Sequence, residues 1–167
     1  MNNNYCIIYN PVSGNGKSNY LVKRLQEDLN KKNIQYKIYQ SKYSGDIKFL
    51  CANKGDKNFI IVGGDGTFNE AVNGFMKRKD QGELNNINIG FLPGGTGNAF
   101  MHDLNGQTYK KALKIILNGN TKKIDILKLN LNQPINKTRY SLNIVGWGLA
   151  SDINILSDKL RFLGGIR

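Results

Sequence analysis

Three apolar runs each end in a glycine-rich segment, and this repetition limits the possible fold more than any other feature of the chain. Residues 5–9 stop at Asn10-Pro11 and continue into Ser13-Gly14-Asn15-Gly16-Lys17. Residues 59–62 enter Gly63-Gly64-Asp65-Gly66-Thr67, and residues 87–92 enter Pro93-Gly94-Gly95-Thr96-Gly97-Asn98. An apolar run without polar alternation reads as a strand covered on both faces, and the glycines mark the turn where it ends. Helical spacing fills the gaps. Leu21, Val22, Leu25 and Leu29 form one stripe, and Tyr109, Ala112, Leu113, Ile116 and Leu117 form another, ended by Asn118-Gly119-Asn120. Further helices are predicted over residues 46–53 and 69–77, and a strand over 34–39. Such alternation predicts an α/β fold: a doubly wound, mostly parallel sheet with helices on both faces.

From Lys123 the pattern changes. Residues 124–131 and 140–145 alternate apolar with polar positions around an Asn-rich loop, which predicts an antiparallel pair. The expected organisation is an α/β domain over 1–122 and the beginning of a β-rich domain over 123–167. With 167 residues and 40% hydrophobic content, the chain can bury one substantial core. It contains no apolar run of about 18 residues and no signal-peptide pattern at Met1-Asn2-Asn3-Asn4, so a soluble, cytoplasmic protein is expected, and its positive charge makes a peripheral place at anionic membranes available to it. Cys6 and Cys51 lie within apolar stretches and read as buried thiols, and a single histidine, His102, argues against a structural zinc site. The net charge of +12 implies anionic partners without choosing among nucleotide, membrane and nucleic acid. Aromatic residues are not interleaved with a basic stripe, so nucleic acid is not expected.

Glycine-rich loops at the carboxyl ends of parallel strands suit phosphate, because bare backbone lets consecutive N–H groups face one anion. The first loop resembles the end of a Walker A sequence, but Pro11 stands where its first glycine belongs; a dinucleotide fingerprint fails for want of a third glycine. The second loop places a carboxylate, Asp65, between glycines. Near phosphates it could hold Mg²⁺ or accept the proton of an attacking hydroxyl; a plain turn would not need it. Thr67 and Glu70 have capping-box spacing, so Glu70 has a structural reading beside a functional one, and Asn69 is equally open. In the third loop, the Thr96 hydroxyl could bind a phosphate oxygen.

Together these segments resemble the diacylglycerol kinase catalytic-domain superfamily, which includes bacterial lipid kinases, sphingosine kinases and ceramide kinases. The resemblance implies ATP bound between the loops, Mg²⁺ on its phosphates and γ-phosphoryl transfer to a lipid hydroxyl. It marks Asp65 as catalytic or metal-holding and Asp125 as a second member of the metal network. The nucleotide set it implies is Asn10, Ser13, Gly14, Gly16, Lys17, Ser41, Gly63, Gly64, Gly66, Thr67, Asn69, Glu70, Gly94, Gly95, Thr96 and Asn98, with Arg161 and Arg167 on the phosphates.

Residues 143–167, with Gly146-Trp147-Gly148, look like the sphingosine and ceramide kinase segment that opens the lipid-binding domain, where Asp152 and Asn154 would face the lipid. Ala99, where bacterial lipid kinases usually carry Asp, favours that branch. Asn154 replaces an acidic residue of sphingosine kinases, which turns the expectation toward ceramide or another lipid. The family continues beyond the position of Arg167 into a β-sandwich, so a truncated chain is expected. The competing readings are an NAD kinase-like enzyme, which shares the Gly-Gly-Asp-Gly-Thr loop, and a non-catalytic nucleotide-binding fragment. Transient contact with an anionic membrane surface completes the expected partners.

Overall fold

The computed structural model describes residues 4–79, 84, 87–119, 121–132, 134 and 136–142. Four parallel strands form the sheet: β1 (Asn4–Tyr9), β2 (Gln35–Gln40), β3 (Asn58–Gly63) and β4 (Asn88–Pro93), in the order β2-β1-β3-β4. The uninterrupted apolar runs occupy the middle. Residues 5–8 of β1 and 59–63 of β3 are wholly buried, whereas β2, at the edge, is only partly covered. Parallel strands covered on both faces have no use for polar alternation, which is why β1 and β3 lack it.

From β1 the chain winds outward to β2, returns past β1 to β3, and goes on to β4. Right-handed crossovers therefore place α1 (Lys17–Asn30) on one face and α2 (Asp46–Asn53) and α3 (Asp65–Lys79) on the other. Two contacts agree. The Tyr109 hydroxyl of α5 (Tyr109–Asn118) donates to Asp28 of α1 at 2.7 Å, which joins those two helices. On the opposite face a Cβ on Gly74 of α3 would overlap the Lys48 carbonyl of α2 and approach the Cys51 Cβ to 2.7 Å. The winding reverses between β1 and β3, and the loops leaving those neighbours part there.

The predicted helix over 69–77 begins earlier, at Asp65, so this residue lies in the first turn of α3 rather than in a free loop. A short helix, α4 (Ala99–Asp103), follows the third glycine segment and was not anticipated. It is fixed by aromatic packing: Phe91 of β4 meets Phe68 of α3 at 4.8 Å and Phe100 of α4 at 5.4 Å, both edge to face. Each such pair contributes about 1 kcal/mol beyond its buried area.

The antiparallel pair forms as β5 (Leu127–Leu131) and β6 (Lys137–Ser141), shorter at its start than the predicted 124–131. It is a separate two-stranded sheet held to α3. The buried Asn73 amide donates to the Tyr140 carbonyl at 2.7 Å and accepts from the Tyr140 N–H at 3.0 Å. The side chain thus acts as a substitute strand partner. The predicted strand segment 143–145 and the segment 143–167 lie outside the described residues.

The packing of α3 on α2 sets a stability prediction. Gly74→Ala is expected to destabilise the protein by about 2 kcal/mol in urea unfolding, because a methyl must enter space held by α2 backbone. Gly55→Ala, where a Cβ would meet nothing within 4 Å, is expected to be neutral or slightly stabilising.

Candidate functional site

The first glycine segment turns through consecutive left-handed residues, Gly14 (φ 57), Asn15 (φ 54) and Gly16 (φ 86), before α1 begins. This reversal brings Ser13 and Gly14 back over the ends of β3 and β4. The Ser13 hydroxyl accepts the Gly64 N–H at 3.2 Å and lies 3.4 Å from the Thr67 hydroxyl. A Cβ on Gly14 would overlap the Gly94 carbonyl, and one on Gly95 would overlap the Gly64 Cα. A Cβ on Gly63 would come within 2.5 Å of the Thr67 side chain. The Gly94 N–H donates to Gly63 at 2.6 Å. Glycine is therefore required at 14 and 95 first because the loops touch backbone to backbone there, and at 63 because Thr67 folds over it.

The resulting cleft, of about 700 Å³, is lined by all three loops and by residues 41–44 at the end of β2. Of the predicted site residues, Asn10, Ser13, Gly14, Ser41, Gly64, Asp65, Gly66, Thr67, Glu70, Gly95 and Thr96 line it. Gly16, Lys17, Gly63, Asn69, Gly94, Asn98 and Asp125 are not in its lining among the described residues. Asp152, Asn154, Arg161 and Arg167 lie outside the described residues. Lys42, Tyr43 and Ser44 join the site although the sequence did not single them out. Their turn is closed by Asp46, whose carboxylate accepts the Lys42 N–H at 2.8 Å. A buried Asp at the start of α2 was the signal available for it.

Several predicted roles take a specific form. Asp65 spans from α3 to α4: one carboxylate oxygen accepts the Ala99 N–H at 3.0 Å and the other the Phe100 N–H at 3.1 Å. Those donors open a helix and have no carbonyl within it to bond, so Asp65 supplies the cap for α4 from another element. Asn98, itself left-handed at φ 51, closes a reciprocal pair with Gly95, accepting its N–H and donating to its carbonyl, both at 2.9 Å. It shapes the third loop from behind. The Gly64 and Gly95 N–H groups are thus already bonded within the protein. The first-turn N–H groups of Gly66 and Thr67 have no intrahelical acceptor, and both residues line the cleft.

Thr67 is the third residue of α3 rather than its N-cap, so the capping-box reading of Thr67 and Glu70 does not hold. Glu70 instead accepts a hydrogen bond from the Gly45 backbone at the start of α2. Burial pushes its carboxyl above the ordinary 4.5, assisted by the nearby Asp46 charge and opposed by the Gly45 hydrogen bond and by Lys48.

The geometry joins phosphate-sized, N–H-bearing loops at a topological switch point with a fixed carboxylate beside them. The diacylglycerol kinase catalytic domain family matches residues 4–129, which contain every element of the cleft. The chain belongs to this family. It is 29% identical to mitochondrial acylglycerol kinase of Xenopus laevis over 96% of this chain and 39% of that protein. It is 30% identical to sphingosine kinase 1 of Arabidopsis thaliana over 96% of this chain and 34% of that protein. A diacylglycerol kinase of Staphylococcus carnosus is 32% identical over 95% of this chain and 50% of that protein. The crystal structure of a diacylglycerol kinase from Bacillus anthracis aligns with a TM-score of 0.58 at 27% identity, covering 74% of this chain and 42% of that one. The chain thus spans a third to a half of the length of these relatives. Among the described residues no helix is long and apolar enough to cross a membrane.

The raised Glu70 carboxyl sets the next prediction. A folded-state value above the unfolded one means the folded protein holds more protons, so stability falls as pH rises from about 4.5 through the raised value. Glu70→Gln keeps an acceptor for Gly45 and removes the titration. Urea midpoints are expected to favour the variant at pH 7 and to converge with the parent at pH 4.

Proposed function

We propose that this chain forms the nucleotide-binding part of an ATP-dependent lipid kinase, which transfers the γ-phosphoryl group of ATP to the hydroxyl of a sphingoid, ceramide or acylglycerol lipid. The observation that carries this reading is the convergence of three glycine loops and the α3 N-terminus on one cleft, with the Asp65 carboxylate at its wall. The family, whose named relatives are acylglycerol, sphingosine and diacylglycerol kinases, supports it over an NAD kinase-like enzyme.

In this proposal the phosphates lie over the first turn of α3, where the Gly66 and Thr67 N–H groups and the helix dipole favour negative charge. The Thr96 hydroxyl and residues 13–15 border the same space, and residues 41–44 form the wall nearer the base and sugar. Asp65 is the acidic group at the transfer point. Its two bonds to the start of α4 hold the carboxylate in one orientation, and orientation is a large part of what phosphoryl transfer asks of an enzyme.

No group of three or more His, Cys, Asp or Glu residues able to enclose a metal exists among the described residues. Mg²⁺ in nucleotide sites is held by one or two carboxylates together with phosphates and water, so Asp65 on the cleft wall fits it. When bound, Mg²⁺ would neutralise charge on the phosphate oxygens. Asp125 is exposed in the segment before β5 and is not part of the cleft lining. We place the lipid-holding domain beyond residue 122, with the β5–β6 hairpin as its beginning.

Activity is tested with radiolabelled ATP against a panel of sphingoid bases, ceramides and acylglycerols, with NAD included as acceptor. Label in a lipid supports the proposal, and label in NAD alone contradicts it. In a form of the protein that phosphorylates lipid, Asp65→Asn is expected to lower kcat at least about a hundredfold. A loss within about threefold, or roughly 0.7 kcal/mol, would refute the role of Asp65. Gly66→Asp is expected to weaken ATP binding in calorimetry while leaving the unfolding midpoint near that of the parent. A Cβ there meets no atom within 4 Å, but the added charge enters the phosphate space.

A further inference from the structure

The charge of this protein is not spread evenly over its described surface. Four cations from three elements converge on the face away from α1 and α5. Gly74 seats α3 on the Lys48 backbone of α2, Lys77 lies one turn further along α3 from Asn73, and the Asn73 clamp fixes Tyr140 beside Arg139. Lys137 follows two residues away on β6. Lys77, Lys137 and Arg139 are exposed and Lys48 is half-buried. The cations repel one another: burial and the charges of Lys77, Arg139 and Lys137 hold the Lys48 ammonium below its ordinary value. The Glu70 carboxylate opposes this repulsion in part, but among the described residues the ion pair within 4.0 Å is Lys37–Asp56, at 3.6 Å, so no carboxylate pairs directly with any of the four.

Two large aromatic side chains at and just before the start of α2 are exposed. Phe49, next to Lys48 on α2, is 59% exposed, and Tyr43, at the mouth of the cleft, is 62% exposed. Like charges held together with only partial counter-charge raise the energy of the free protein and are relieved by an anionic surface. Exposed aromatics beside cations gain further where a headgroup layer meets acyl chains.

We propose that this face, bearing Lys48, Lys77, Lys137, Arg139, Phe49 and Tyr43, docks on an anionic lipid surface. The inference rests on the lipid kinase reading for its choice of partner: the acceptor hydroxyl of such a lipid lies at the membrane interface, and the exposed Tyr43 also lines the cleft. Docking through discrete cations weakens as salt screens them.

The test is co-sedimentation of the protein with phosphatidylcholine vesicles, with and without phosphatidylserine, and in parallel a titration with a labelled single-stranded oligonucleotide. The parent is expected to bind only the phosphatidylserine vesicles, and less at raised salt. Lys77→Gln combined with Arg139→Gln is expected to weaken that binding about tenfold or more, at roughly 1 kcal/mol for each cation lost. Lys110→Gln combined with Lys111→Gln removes the same charge from exposed positions of α5 on the other face and is expected to leave binding within about twofold. Phe49→Ser is expected to weaken vesicle binding without shifting the unfolding midpoint, and Arg139→Lys to retain it. Equal loss in both charge-neutralised pairs, or in neither, overturns the docking face, as does binding of the oligonucleotide without the vesicles. ATP affinity is read separately by calorimetry in the absence of lipid. A parent that binds vesicles as described but not ATP would contradict the nucleotide reading and leave the docking face standing.

Discussion

The contact on which the rest depends is that of glycine backbone against glycine backbone where the three loops meet. Gly14 lies on the Gly94 carbonyl, Gly95 lies on Gly64, and Gly94 bonds to Gly63. A side chain at Gly14 or Gly95 would separate the loops, and with them the ends of β1, β3 and β4. Ser13, Thr67 and Asn98 then bond the loops at close range, so the cleft is already shaped by the protein's own contacts. Preorganisation of this kind lowers the ordering cost of binding a ligand.

Helix α3 carries this arrangement into the rest of the molecule. Its first turn borders the cleft, and Asp65 in that turn caps α4. Glu70 reaches the start of α2, Asn73 grips the β5–β6 hairpin, and Gly74 seats the helix on α2. Few residues of a helix remain free to move when so many neighbours are bonded to it. A phosphate over the first turn and a membrane under the last would therefore act on one rigid element.

Much of this was legible in the sequence because hydrophobic period and glycine placement are local signals. The buried runs of β1 and β3, the α1 stripe and the exact span of α2 follow from side-chain pattern alone. The start of α3 did not, because Gly-Asp-Gly reads as a turn and the helix there is imposed by packing of Phe68 on Phe91. Helix α4 escaped for a related reason. Its cap comes from Asp65, 34 residues earlier, and no local spacing shows that. The roles of Asn98 and Gly95 are similar: phosphate ligands and loop-closing groups use the same amides, and only geometry separates them. Lys48, Lys77, Lys137 and Arg139 are far apart in the sequence, and their convergence depends on tertiary contacts between α2, α3 and β6.

The most direct test of the central claim is an amide chemical-shift titration of the isotopically labelled protein with a non-hydrolysable ATP analogue and Mg²⁺. The account predicts the largest changes at the Gly66, Thr67 and Gly97 N–H groups, with smaller ones at Gly64 and Gly95, whose N–H groups already bond to Ser13 and Asn98. Saturating analogue that leaves the α3 first turn unmoved, or that shifts residues along β4 instead, would contradict it.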